Sequence, residues 1–215
     1  AKKAVPVASP ADPASDALQP TPLSKFDKEG KTITGFHGRD NHVVIPDGFT
    51  KIKDFAFSGK GTLYSVVIPE GIKKIEMYAF SPCKKLTSVK LPSSLEYLSG
   101  FYECSSLSSI DIPYGVRTIG KMAFKECKKL TSVVLPPSVN RIEDSAFSCI
   151  QLKDVYIPES VTDIHEFAFL MAPNATLHVH PGSYAEAFAE KKGYIKFDND
   201  VDEYVAMFAG CPPLM

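Results

Sequence analysis

No run of apolar residues in this chain approaches the ~18 needed to cross a bilayer, so no membrane insertion of this chain is expected. Neither sign of charge is in excess: 24 Lys and Arg stand against 25 Asp and Glu, a formal net charge of -1. That balance leaves no basic footprint for nucleic acid. The lysine pairs Lys73-Lys74, Lys84-Lys85 and Lys128-Lys129 recur at matching places and are expected to be solvated turns. A phosphate-binding glycine loop, a G-x-S-x-G elbow and a carboxylate pair singled out by spacing are all missing, so no enzyme is expected. The first residues include neither a Met nor a signal-type apolar stretch, which implies a removed leader or a trimmed chain. What remains is 215 residues that are 44% hydrophobic, enough to bury a sizeable core.

That hydrophobicity is periodic. Six Pro-anchored copies of one motif recur: VVIPDGFTKIKDFAF, VVIPEGIKKIEMYAF, VKLPSSLEYLSGF, IDIPYGVRTIGKMAF, VVLPPSVNRIEDSAF and VYIPESVTDIHEFAF. The prolines are Pro46, Pro69, Pro92, Pro113, Pro136 and Pro158, spaced by 23, 23, 21, 23 and 22 residues. A period of this length means a solenoid, one coil per repeat. Leu130, Val133 and Leu135 in LTSVVLPPSVNRIEDSAFSC have the L-x-x-L-x-L spacing of a short parallel strand, with Val133 and Leu135 inward and Val134 outward. Pro136 ends that strand because it has no N–H to give the next coil. The pairs Ala56/Phe57, Ala79/Phe80, Ala123/Phe124, Ala146/Phe147 and Ala168/Phe169 are expected to build one stacked aromatic column. A single repeat cannot offset the entropy of ordering its backbone, about 1 to 2 kcal/mol per residue; only stacked neighbours supply enough burial. The third repeat is two residues short and lacks the Ala-Phe pair, so Phe101 or Tyr102 must fill the aromatic slot in a tightened coil.

The ends differ in composition. Residues 1–25 carry Pro6, Pro10, Pro13, Pro20 and Pro22 and read as a tether. Residues 26–42 read as a hairpin cap, with a turn at Glu29 and Gly30 followed by alternating Thr32, Ile33 and Thr34. The six repeats occupy 43–181. Residues 182–215 form a helical cap and tail: SYAEAFAEKKG has Ser183 as N-cap and Gly193 as C-cap, and DVDEYVAMFAG suggests a second helix.

The consensus I-P-x-x-V-x-x-I-x-x-x-A-F-x-x-C-x-x-L, carried by IPEGIKKIEMYAFSPCKKL and IPYGVRTIGKMAFKECKKL, closely resembles the BspA-like, or treponemal, leucine-rich repeats. The match covers roughly residues 32 to 195. The expected fold is a right-handed, curved leucine-rich-repeat solenoid, β-rich, with one short parallel strand per repeat, a mostly irregular convex side and a short C-terminal helical cap. The resemblance implies a secreted or cell-surface protein that binds host or neighbouring-cell proteins in adhesion, and it carries over no catalytic residue.

Cys83, Cys104, Cys127 and Cys149 share one repeat position, which favours a ladder of buried thiols. A bridge from Cys83 to Cys104 or from Cys104 to Cys127 stays open, since successive coils lie about 4.8 Å apart. A flat column cannot arrange four ligands around a metal, and Cys211 reads as a free thiol. His178 and His180 share a strand face but lack a third ligand, and Phe169 stands where the second His of a zinc motif after His165-Glu166 would be needed. Neither metal nor cofactor is expected. Asn174-Ala175-Thr176 is a glycosylation sequon only in a eukaryotic secretory protein. For binding, stacking aligns the outward strand residues Val44, Val67, Lys90, Asp111, Val134, Tyr156 and His178, and the candidate site is Lys90, Asp111, Tyr114, Val134 and Tyr156. The expected partner of the monomer is a protein ligand, a host extracellular protein among the candidates. A carbohydrate-binding module and a structural spacer of a larger surface protein are the alternatives.

Overall fold

The computed structural model describes residues 19–198; the tether before residue 19, Cys211 and the second helix suggested by DVDEYVAMFAG lie outside the described residues. The chain winds as a β-solenoid of about eight turns. Strands β1 (Phe26–Glu29) and β2 (Thr32–Phe36) form an antiparallel hairpin at its start, reversing at Gly30 with φ +57°. Just before the hairpin, in the stretch read as tether, Thr21 is buried; its N–H donates to the Val44 carbonyl at 2.9 Å, and the Val44 N–H donates to its hydroxyl at 3.1 Å. The chain therefore meets the first coil earlier than its composition indicates.

The coils contribute strands to two walls, where the sequence showed one. The Pro-anchored segments make the first wall: β3 (His42–Val44), β5 (Ser65–Val67), β7 (Ser88–Lys90), β10 (Ser132–Val134), β12 (Asp154–Tyr156) and β14 (Thr176–Val179), with β15 (Ile195–Asp198) paired after the last. Their alternation is clear in β3 and β5, where Val43 and Val66 are buried and Val44 and Val67 half-buried. Two-residue strands make the second wall: β4 (Lys51–Ile52), β6 (Lys74–Ile75), β8 (Tyr97–Leu98), β9 (Thr118–Ile119), β11 (Arg141–Ile142) and β13 (Asp163–Ile164). These join the hairpin in one eight-stranded sheet, all parallel after β2, on the side expected to be irregular. The first wall is split instead. A three-stranded sheet ends at β7, a four-stranded one begins at β10, and Ser109–Asp111 between them belongs to neither.

Inside, Phe36, Phe57, Phe80, Phe101, Phe124, Phe147 and Phe169 form a single column, with successive ring centroids 4.7 to 6.0 Å apart and planes within 27°. Phe101, not Tyr102, fills the slot of the short coil. Such near-parallel aromatic pairs add about 0.5–1.5 kcal/mol each beyond the area they bury. The column is closed at one end by Phe26 and at the other by Phe188 of α1 (Tyr184–Lys192) and by Tyr194. Helix α1 starts as its sequence indicates, with the Ser183 hydroxyl accepting from the Glu186 N–H, and ends at left-handed Gly193.

The four thiols Cys83, Cys104, Cys127 and Cys149 are free and fully buried. Each donates to the carbonyl of a column phenylalanine in the preceding coil: Phe57 at 3.3 Å, Phe80 at 3.4 Å, Phe101 at 3.1 Å and Phe124 at 2.7 Å. In the last coil Ala172 replaces the cysteine, so the Phe147 carbonyl has no thiol donor and accepts from the Cys149 N–H at 2.7 Å, while the carbonyl of Phe169, at the end of the column, accepts from the Tyr194 hydroxyl at 3.0 Å.

Candidate functional site

A parallel ladder fixes the positions of outward side chains, because residues in register stack one strand spacing apart. Register places Val67 beside Lys90, Val134 beside Tyr156, and Tyr156 beside His178. Of the five residues singled out from the sequence, Lys90 is exposed at the end of β7, and Asp111 is exposed in the segment where the first wall is broken. Tyr114 is half-buried on the turn after Pro113, and Val134 is half-buried at the end of β10. Tyr156 differs from the exposed anchor the alternation indicated. It is only 9% exposed, and its ring stacks on His178 with centroids 4.0 Å apart and planes 10° apart. His178, itself 7% exposed, also pairs through Nε2 with Asp154 Oδ1 at 2.9 Å. The five residues therefore divide into an open centre, Lys90, Asp111 and Tyr114, and a closed end, Tyr156, with Val134 between them.

Two surface groupings were not read from the sequence. On the second wall, Lys51 and Lys74 reach Glu76 at 2.6 and 3.4 Å, and the Lys74 ammonium lies 4.9 Å from the centre of the Tyr97 ring. Tyr97 crosses a whole coil to donate to Glu143 at 3.0 Å, passing over Gly120, where a Cβ would lie 2.4 Å from the phenol oxygen. Burial, reinforced by the Glu143 charge, pushes the Tyr97 phenol up to about 12. Arg141 extends the network to Glu143 and Asp163. Exposed pairs of this kind contribute little singly, so the wall reads as a laced, solvated surface.

The second grouping is an aromatic row on the turn before the column. Phe55, 59% exposed, stacks on Tyr78 at 5.2 Å, Tyr78 meets Tyr102 edge-on at 5.5 Å, and the Tyr78 hydroxyl reaches Met122 Sδ at 3.1 Å. Phe55, Tyr78 and Met122 each stand two residues before a column phenylalanine and have positive φ, which aims their side chains out of the coil. The repeat frame carried that signal, since these positions align in five of the six copies, but left-handed backbone at a non-glycine residue has no mark in sequence.

Among the described residues no group of three or more His, Cys, Asp or Glu side chains is placed to hold a metal ion. A cleft of about 670 Å³ lies along the turns of the last coils, walled by Pro137, Pro158 and Pro181, and its titratable lining is Glu159, His180 and Tyr184. Glu159 is exposed, and besides Glu159 and His180 the cleft's polar side chains are hydroxyls. The arrangement suits surface contact better than acid–base chemistry.

Six copies of the BspA type leucine rich repeat region match residues 40–100 and 99–183. Among solved structures, the leucine rich repeat protein of T. pallidum is 25% identical with a TM-score of 0.63, over 83% of this chain and 98% of that one. The pneumococcal vaccine antigen PcpA is 19% identical with a TM-score of 0.67, over 82% of this chain and 46% of that one. A leucine-rich repeat protein from Bacteroides ovatus is 23% identical with a TM-score of 0.55, over 73% of this chain and 53% of that one. No curated protein matches the sequence.

Proposed function

The chain belongs to the BspA-type leucine-rich repeat family, and from that premise we propose that it is an extracellular recognition module that binds a protein ligand noncovalently. Leucine-rich repeat proteins are generally protein-interaction modules, their solenoid is typically non-enzymatic, and BspA-type members are typically surface-associated. Among the described residues no helix is long and apolar enough to cross a membrane. The proposed role is adhesion to a host or neighbouring-cell protein, with the chain acting as a monomer and without catalysis.

The observation that carries the reading is the break in the first wall. At that break an exposed cation, Lys90, and an exposed anion, Asp111, sit at equivalent places on consecutive coils, with the Tyr114 ring on the adjoining turn. Opposite charges beside an aromatic ring are what a protein interface uses for register and for a central anchor. On the strand face, the Tyr156 ring on which a sugar would stack in the carbohydrate alternative is closed against His178.

The test has two arms on the full chain: pull-down from host and neighbouring-cell extracellular proteins, and a glycan array. The expected result is a protein partner whose Kd weakens at least about tenfold, 1.4 kcal/mol, in Lys90→Glu. Lys73→Glu, on the second wall, should leave that Kd unchanged. Glycan binding without a protein partner, or equal Kd values for wild type and Lys90→Glu, overturns the proposal.

A further inference from the structure

Charge is segregated along the coil. After each column phenylalanine from Phe57 to Phe169 the chain returns to the first wall through a short turn: residues 58–64, 81–87, 102–108, 125–131, 148–153 and 170–175. The turns stack along one side of the solenoid through bonds such as Thr87 N–H to the Tyr64 carbonyl at 2.9 Å and Glu103 N–H to the Lys125 carbonyl at 2.8 Å. Together they hold seven lysines and only two carboxylates, Glu103 and Glu126, in a chain whose net charge is -1. Lys84, Lys85, Lys128, Lys129 and Lys153 are exposed, and Lys60 and Lys125 half-buried. On and beside the second wall, Lys51, Lys73, Lys74 and Lys121 each reach a carboxylate at 2.6 to 3.4 Å. Among the described residues no turn lysine does so. Lys60 and Lys85 lie instead over the rings of Phe36 and Tyr64, at 5.6 and 5.5 Å.

The same turns expose large apolar side chains. Tyr64, Ile150, Leu170 and Met171 all stand on them, and Phe55 and Phe167, two residues before the column, add exposed rings at the adjoining edge. A merely solvated turn has no use for these groups.

We propose that this side of the solenoid docks on an anionic lipid surface, the lysines meeting phosphate headgroups while Tyr64, Ile150, Leu170 and Met171 enter the boundary between headgroups and acyl chains. Three observations select this partner. The six turns contain lysine but no arginine. A discrete sulfate, phosphate or carboxylate on a polysaccharide or an acidic protein is matched by the guanidinium fork, whereas lysine point charges suit the diffuse field of a charged membrane. The cations are also spread. Lys84-Lys85 and Lys128-Lys129 occupy the same place two coils apart, roughly 10 Å, with Ser105 and Ser106 on the coil between, so they do not converge on one anion. Finally, aliphatic Ile150, Leu170 and Met171 find apolar material in a bilayer boundary and little along a sugar chain or a phosphate backbone. The chain lies on the surface rather than across it, since no described helix is long and apolar enough to span a membrane. Docking in this way leaves the first wall for a protein ligand. The inference goes beyond that reading and stands without it.

Flotation of the full chain with vesicles tests the proposal. Vesicles of equal parts phosphatidylcholine and phosphatidylglycerol should carry the protein at low salt, vesicles of phosphatidylcholine alone should not, and added salt should release it. Lys128→Glu/Lys129→Glu should weaken the partition constant at least about tenfold. Lys28→Glu/Lys31→Glu, the same change of net charge on the N-terminal hairpin, should leave it near the wild-type value. Leu170→Ser/Met171→Ser keeps every charge and should still weaken binding severalfold. Thermal midpoints should match wild type; if Lys128→Glu/Lys129→Glu lowers its midpoint, Lys84→Gln/Lys85→Gln takes its place with the same expected direction. Lys90→Glu should float as wild type does, so this reading and that of the protein ligand fail separately. Absence of flotation with the anionic vesicles overturns the proposal, as do equal partition constants for Lys128→Glu/Lys129→Glu and Lys28→Glu/Lys31→Glu. Undiminished flotation of Leu170→Ser/Met171→Ser overturns it too, because charge alone would then account for binding. Tighter binding to dextran sulfate than to the vesicles would assign the face to an anionic polysaccharide instead.

Discussion

At the scale of the residue, the repeated cysteine is a donor small enough to be buried. The backbone N–H of each column phenylalanine from Phe57 to Phe147 bonds forward to the next coil, as Phe80 does to Gly100 at 2.8 Å. The carbonyls of Phe57, Phe80, Phe101 and Phe124 point into the interior, where a thiol can donate without bringing in a strongly polar group. Burial is the main cause that holds these thiols protonated: it pushes Cys83 and Cys149 up to about 12, and Cys104 and Cys127 up as well. An unfolded thiol titrates near about 8.5. The folded state therefore binds more protons above that pH, so the stabilisation is complete below about 8.5 and is lost as pH rises through the folded value of about 12. Urea midpoints measured from pH 7 to 10.5 should hold level to about pH 8 and then fall, and the fall should be shallower in Cys83→Ala. Equal slopes for the two proteins would show that the Cys83 thiol does not contribute. The alignment of the four cysteines was legible in the sequence from repeat position alone. Their acceptors were not, because which carbonyl faces a thiol depends on the path of the coil before it.

At the scale of the element, the short third coil shows how a solenoid absorbs a deletion. In four other coils a residue with φ between +53° and +62° stands two places before the column phenylalanine: Phe55, Tyr78, Met122 and Ser145. The third coil places Gly100, φ +97°, directly before Phe101, and that substitution of turn geometry brings Phe101 rather than Tyr102 into the column. A Cβ on Gly100 would lie 2.8 Å from the Glu76 carbonyl oxygen and 2.9 Å from Ile75 Cγ2, so Gly100→Ala adds a clash to backbone strain. Gly59, φ +69°, has nothing within 4 Å of its would-be Cβ, so Gly59→Ala carries strain alone, of order 1–2 kcal/mol. Thermal melts should rank Gly100→Ala clearly below Gly59→Ala, at about 2–4 °C per kcal/mol for a chain of this size. Equal midpoints would remove the close packing of coils two and three from the explanation. The sequence revealed the two-residue deficit and pointed to a tightening there. It could not reveal that the second wall would keep its register, Leu98 opposite Ile119, while the first wall came apart at Ser109–Asp111. The missing residues fall in the turn leading from Leu98 to Ser109, and the segment after that turn is the one left outside both sheets. Lys90 and Asp111 were named for their outward positions, and the break that leaves Asp111 outside both sheets was not visible in that pattern.

At the scale of the whole molecule, the two walls divide the work of holding the coils together. Repeats were plain in the sequence because six prolines and five Ala-Phe pairs mark them. The second wall was not, since strands such as Lys74–Ile75 are too short to show the alternation that identifies a strand. Yet the second wall is the continuous one, running through eight strands past the point where the first is interrupted. Stability in a stacked repeat is nearly a sum of neighbour contacts, so a break on one side weakens only the two junctions it crosses. Here those junctions are still bridged by the column, with Phe101 and Phe124 6.0 Å and Phe124 and Phe147 5.6 Å apart, and by backbone bonds such as Gly120 N–H to the Leu98 carbonyl at 2.7 Å and Glu143 N–H to the Ile119 carbonyl at 2.9 Å. The middle of the first wall should therefore open locally without parting the halves. Residue-level hydrogen exchange is expected to show Ser109, Ile110 and Ile112 exchanging through low-energy openings, while Gly120 and Glu143 exchange only at the global unfolding limit. A solenoid weakened only at its ends would give the opposite order, with its central coil best protected on both sides. Matching protection at Ile112 and Gly120 would mean that the interruption carries no energetic weight, and the open centre at Lys90 and Asp111 would then be as rigid as the rest of the face.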